Sequence, residues 1–161
     1  MKDLNKLAKE IVLNNQYLTL NTINGGGKPW SCILAYTFDS NFNFYFVSLP
    51  SSGHSKHIEK SEDVAFTIFD STQGFSIGVG LQIEAKAKRL HEEKIPEITK
   101  TYFERKYPYG DISNDFTVGL KKFLNEGIYI FYQLTPTRIW INDPNANTDK
   151  RVEISLKETR T

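Results

Sequence analysis

The sequence predicts a mainly β domain with inserted helices, an α+β fold built on a barrel-like sheet of six to seven antiparallel strands. Three observations point to it. Aromatic residues reach 13%, with 11 Phe and 8 Tyr, and many fall in short segments where flat side chains suit a pleated surface. Turn formers punctuate those segments at Asn24-Gly25-Gly26-Gly27, Asp39-Ser40-Asn41 and Ser71-Thr72-Gln73-Gly74. Helical periodicity is confined to a few stretches between them. So many antiparallel strands in one chain suggest a barrel, because closure removes exposed sheet edges. A chain of 161 residues is the size of one domain, so residues 1–161 read as a single unit with enough length for a core without disulfide or metal staples.

Leu4, Leu7, Ala8, Ile11 and Val12 recur at helical spacing and predict an amphipathic helix over residues 3–14. Residues 17–22 and 30–38 read as strands around a glycine-rich turn, and the alternating run Phe42 to Ser48 follows the next turn, so the three predict an antiparallel meander. Pro50 stops that run, and a short helix follows near 53–60. Val64 to Phe69 is the next strand. In the stretch Gly78 to Leu90, Leu81, Ile83, Ala85 and Ala87 alternate with Gln82, Glu84, Lys86 and Lys88, which sends one face to the core and the other outward. Ile95, Ile98, Tyr102 and Phe103 mark a helix with Pro96 in its first turn, and Phe116, Leu120, Phe123 and Leu124 mark another that Gly127 closes. Residues 128–133 and 138–141 read as two strands broken by Pro136, and residues 144–161 as a loosely ordered tail with a weak strand over 152–156.

Composition excludes several function classes. With 20 Lys+Arg against 19 Asp+Glu the net charge is +1, which offers no electrostatic footprint for nucleic acid or an anionic membrane. The one cysteine, Cys32, rules out an intrachain disulfide and every multi-cysteine metal motif, and its apolar strand context predicts a buried thiol. No signal-like segment or membrane-length apolar run is visible, so a reducing cytoplasm is the expected location.

The segment from Phe42 to Ile58 carries the clearest chemistry. After the strand, Ser51-Ser52-Gly53-His54-Ser55-Lys56-His57-Ile58 offers hydroxyls at Ser52 and Ser55, potential cations at His54 and Lys56, a permissive glycine and the free N–H groups of a starting helix. Together these would suit a phosphate. The same residues also describe an ordinary strand-to-helix connection with an N-cap. His57 reads as a surface residue, since no further ligands accompany His54 and His57, and the run Gly25-Gly26-Gly27-Lys28 lacks the spacing of a phosphate-binding P-loop. No catalytic triad is defined by the separated Ser, His and Asp residues.

The ordered set Tyr-Phe-Val-Ser-x-Pro-x-Ser-x-His-Ser-x-x-Ile, Phe-Thr-Ile-Phe-Asp-Ser-Thr-Gln and Gly-Leu-Gln-Ile-Glu resembles the pyridoxamine 5′-phosphate oxidase-like proteins, whose fold is the FMN-binding split barrel. The resemblance spans roughly Tyr17 to Trp140. It implies a homodimer with FMN in a cleft between subunits and a redox reaction on a small organic molecule. The phosphate would be held by Ser52, His54, Ser55 and Lys56, and the ring would lie along Ser31, Cys32 and Ile33 and along Val47 and Ser48. Gln82 would meet the pyrimidine end of the ring, and Trp140 would cover it from the second subunit. Read from the residues alone, Gln82 is equally a solvent-facing strand residue and Trp140 a core residue. The chain departs from the pattern at Gly53, where related sequences carry an arginine, and the segment Thr137 to Trp140 has one arginine where vitamin-processing oxidases have more; pyridoxamine phosphate is therefore not the expected substrate. A flavin- or haem-related binding or stress protein without turnover is the alternative.

Overall fold

In the computed structural model, which describes residues 3–72, 79–106 and 114–156, the alternating segments assemble into one curled antiparallel sheet. The elements are α1 (Leu4–Asn14), β1 (Tyr17–Ile23), β2 (Pro29–Ala35), β3 (Thr37–Phe38), β4 (Phe44–Ser48), α2 (Gly53–Lys60), β5 (Asp63–Phe69), β6 (Gly80–Arg89), α3 (Ile95–Glu104), α4 (Asn114–Asn125), β7 (Ile130–Asn142) and β8 (Arg151–Ile154). A single 3₁₀ turn, Glu92–Lys94, leads into α3. Strand order is β2-β1-β5-β6-β7-β4-β3, with β8 added along β7. This is a split barrel: among the described residues no ladder joins β2 to β4, so the curled sheet stays open there.

The apolar phase of each strand decides its inner face. Leu18, Leu20, Phe44, Phe46, Phe66, Ile68, Leu81 and Ile83 are all but inaccessible to water and form the main core, with Phe46 stacked on Tyr132 at 5.1 Å. Helix α1 begins where Asp3 accepts the N–H groups of Asn5 and Lys6, and it buries Ala8, Ile11 and Val12 in that core. A second cluster, with Tyr45, Leu90, Ile98, Tyr102, Leu120 and Phe131, fastens α3 and α4 to the other face of β4 and β7.

Two sequence expectations are corrected here. The meander is not continuous, because the predicted strand 30–38 divides at Tyr36: β2 pairs with β1 at one end of the sheet, and β3 pairs with β4 at the other. Tyr36 turns fully into the core, its hydroxyl donates to the Val12 carbonyl at 2.7 Å, and its backbone N–H bonds to Gln16. Nor does Pro136 break the last strand. It sits at a bulge where Ala85 pairs with Pro136 and Glu84 with Arg138, so β7 runs through as 13 residues and reaches β4, β6 and β8 in turn. The polar tail does form a strand, β8, over Arg151–Ile154. The expected contacts of Phe116 and Phe123 lie outside the described residues.

One side chain ties the ends of three elements. The Arg105 guanidinium, just past α3, donates to the carbonyls of Tyr36, Val12 and Asn15 and lies 4.3 Å from the centre of the Tyr36 ring. Val12 O and Asn15 O belong to the carbonyl-rich C-terminal end of α1, where a cation is stabilising. Replacing Arg105 by Ala leaves those acceptors without this donor, and a loss of about 2–3 kcal/mol in unfolding free energy is expected from urea denaturation. Arg105→Lys should recover only part of it, because an ammonium cannot span the three carbonyls with a planar fork.

Candidate functional site

Strand β4 ends at Ser48, and the chain turns through Pro50 so that the Ser52 N–H reaches the Leu49 carbonyl at 3.1 Å. Ser52 then caps α2: its hydroxyl accepts the Ser55 N–H at 3.4 Å and donates to the Ser55 hydroxyl at 2.8 Å. His54 Nε2 lies 2.7 Å from the Ser48 hydroxyl and 3.1 Å from that of Ser52. A neutral ring satisfies this arrangement by accepting the Ser48 proton. Burial lowers the His54 pKa below its ordinary 6.5, and the positive charge that His57 can carry lowers it further. Beneath the turn, burial raises the pKa of the Tyr132 hydroxyl, and the neighbouring Ser55 hydroxyl offsets part of the rise without reaching hydrogen-bond geometry.

This geometry reassigns the turn's residues. His54, 8% exposed, and Ser55, fully buried, hold the turn from within, and that burial disfavours the charged form of His54. Among the described residues the N–H groups of Gly53 and His54 have no acceptor in the chain, and they open the positive end of α2. Lys56 is exposed one turn on. Trp30 stands beside them, its indole so close to Gly53 that a Cβ there would lie 3.6 Å from the ring, an ordinary contact. His57 is not a free surface residue either: its Nδ1 lies 2.9 Å from the Thr22 hydroxyl, and Trp30 packs edge-on against it.

The turn opens beside the split. Strand β2 ends the sheet, and β3 pairs with β4 only as far as Tyr45, so the edges of β2 and of Val47 and Ser48 both lack a strand neighbour there. Ser31 and Ile33 point to the outer face, where Ser31 donates to Asn21 at 2.6 Å. Cys32, between them, packs against the core, and burial pushes its thiol up to about 11. Val47 leans on the second cluster, and Ser48 is held in the turn network.

Gln82 and Trp140 lie elsewhere. Register places Ile33, Thr19, Thr67, Gln82 and Trp140 in one row across the outer face, so Gln82 is three strand spacings from Ile33, roughly 14 Å. Gln82 donates to Asn142 at 3.0 Å, while its carbonyl oxygen is buried without a partner. Trp140 is covered by the Arg138 guanidinium at 4.5 Å, which Glu153 holds through two hydrogen bonds. Trp30 and the Thr22–His57 bond escape sequence reading; the only local signal is that Trp30 pairs with Thr22 across a glycine-rich turn.

Among the described residues no cluster of His, Cys, Asp or Glu could hold a metal ion, and no helix is long and apolar enough to cross a membrane. The sequence matches no known family model and no curated protein. Solved structures do match. The chain is similar to a protein related to general stress protein 26, of the pyridoxinephosphate oxidase family, from Clostridium acetobutylicum: TM-score 0.68 at 12% identity, covering 95% of this chain and 94% of that one. It is similar to HutZ, the haem storage protein of Vibrio cholerae, with TM-score 0.70 at 15% identity over 86% and 94% of the two chains. It also matches a haem-binding protein of Mycobacterium smegmatis, with TM-score 0.74 at 10% identity over 96% of this chain. The chain spans only 59% to 61% of the length of three of the matched structures, the mycobacterial protein among them. The fold is that of the pyridoxamine 5′-phosphate oxidase-like split barrels.

The buried imidazole gives a pH signature. Because the folded pKa of His54 lies below 6.5, the unfolded chain takes up the proton first as pH falls. Its stabilising contribution is complete above about pH 6.5 and declines until pH drops below the folded value. A thermal-melt series from pH 7.5 to about 5 should fall with a steeper slope in the wild type than in His54→Gln. Equal slopes would show that His54 titrates as an exposed imidazole.

Proposed function

We propose that this chain is an FMN-binding flavoprotein, acting as a homodimer in a redox reaction on a small organic molecule. The observation that carries the reading is the pair of unsatisfied N–H groups at Gly53 and His54, flanked by Lys56 and Trp30 and opening onto the unpaired strand edges of the split. A phosphomonoester supplies the acceptors such a helix end lacks, and Lys56 adds a charge-assisted contact. The backbone edges at 31–33 and 47–48 offer donors and acceptors to the polar rim of a flat ring. FMN, when bound, supplies hydride and electron transfer, so the chain's residues need only bind it, orient it and exclude water. No acid–base pair is required of them.

The second wall of such a site is assigned to another protomer. Tyr17, Ile33 and Phe69 are 53%, 73% and 54% exposed on the outer face that also carries the orphaned Gln82 oxygen, and burial against a second copy would remove that apolar surface from water. Gln82 and Trp140 would then approach a ring held at the other protomer's split.

A haem-carrying role is the second reading. It is favoured by the two haem proteins among the similar structures and by His57, whose Nδ1 is engaged by Thr22 so that Nε2 is the nitrogen open to a further partner. Titrations with FMN and with haem, followed by flavin fluorescence and by the Soret band, separate the two. Reduction of bound flavin by NADH or NADPH separates turnover from carriage.

Under the flavin reading, FMN binds one per chain, and Lys56→Glu weakens it by about 1–3 kcal/mol. At Gly53 an added Cβ meets Trp30 only in ordinary contact, and Gly53→Arg should tighten FMN by about 1–2 kcal/mol by adding a bidentate phosphate contact. Affinity unchanged in both variants would move the phosphate elsewhere. Ile33→Glu should yield monomers in sedimentation velocity and lose FMN affinity with them; a dimer that survives it would remove the outer face as the interface.

A further inference from the structure

We infer that Asn142 and Asp149 are positioning residues: they hold the Gln82 side-chain amide in one orientation, so that the outer face offers its carbonyl as an acceptor for an N–H group of a flat heterocycle. The chain of bonds fixes the polarity. A carboxylate only accepts hydrogen bonds, so the Asn142 atom 2.8 Å from Asp149 Oδ1 is its amide nitrogen. The Asn142 oxygen is thereby turned toward Gln82, and the Gln82 atom 3.0 Å from it is the Nε2 donor. What remains of Gln82 is Oε1, which accepts nothing from the described chain. Leaving such an acceptor buried and unpaired is unfavourable, and an N–H donor removes that cost.

The surroundings select a flat ring. Gln82 pairs with Trp140 across β6 and β7, and Asn142 follows two residues along on the same face. On the β5 side, Phe69 lies against Gly80, two residues before Gln82, so closely that a Cβ there would stand 3.1 Å from the Phe69 ring. Two aromatic side chains thus flank one oriented amide oxygen, and Phe69 is 54% exposed. The register neighbours of Gln82 are Thr67 and Trp140, and a side-chain rotation there opens the oxygen to a ring without moving the sheet. The relay stands on its own, whereas the ligand rests on the flavin reading: the donor is the imide N–H of an isoalloxazine held at the other protomer's split.

Two measurements test this. In isotope-labelled protein the Gln82 side-chain NH2 signals, assigned by their loss in Gln82→Leu, should shift in Asp149→Lys and stay close to wild type in Asp149→Asn. Lysine only donates and turns both amides over, while asparagine can still accept. Asp149 is an exposed loop residue, so both variants keep the core. In fluorescence titrations, FMN should bind the wild type about ten- to a hundredfold more tightly than its analogue methylated on the imide nitrogen. Asp149→Asn should keep that preference, and Asp149→Lys should reduce it to about twofold or less by weakening FMN alone. Gln82 signals that ignore Asp149→Lys overturn the relay whatever the ligand. Equal affinity for the two flavins, or a preference that survives Asp149→Lys, overturns the assigned ligand and leaves the flavin reading intact. Failure of the wild type to bind FMN removes that reading and the assigned ligand together, with the Gln82 signals still deciding the relay.

Discussion

The inward turn of Tyr36 is the constraint on which the cleft depends. Nothing in the pairing preferences of residues 30–48 prevents a continuous three-stranded meander, and such a meander would have joined β2 to β4 and closed the barrel. Tyr36 enters the core instead, its hydroxyl bonded to Val12 and its carbonyl gripped by Arg105, so the chain leaves one sheet edge and begins the other. The strand edges that line the split exist because this residue breaks the ladder between them. Arg105 makes the break firm by drawing the ends of α1, β2 and α3 onto one planar cation with aromatic faces beside it.

Beside that break, the turn from β4 to α2 shows how burial divides labour within a short motif. His54, Ser48, Ser52 and Ser55 hydrogen-bond to one another in the turn, which fixes the backbone around them. The N–H groups of Gly53 and His54 are left without an acceptor above this network. Trp30, reaching over from the β1–β2 hairpin, provides an aromatic wall beside Gly53. Two protein segments distant in sequence thus frame one helix end.

Periodicity was a sound guide wherever a segment had only one face to bury. The alternation from Leu81 to Ala87 and the 3.6-residue spacing of Leu4 to Val12 each correspond to an element with its predicted inner face. It misled where two side-chain roles compete for the same local pattern. Pro136 reads as a strand breaker, yet a bulge absorbs its missing donor and β7 continues. His54 and His57 are equally polar in sequence, but both are drawn inward, one by Ser48 and the other by Thr22.

The sequence by itself determined the mainly β class, most element positions and the stretch from Ser48 to Lys56 as a candidate anion turn, because apolar period, turn chemistry and helix capping are local properties. Tertiary structure alone decided which groups in that turn bond to one another and which are left without a partner, which residues frame it and how far Gln82 and Trp140 lie from it. Those outcomes depend on strand register and on the burial of polar groups against partners 35 to 90 residues away, such as Thr22 with His57 and Asn15 with Arg105, and no local pattern encodes such pairings.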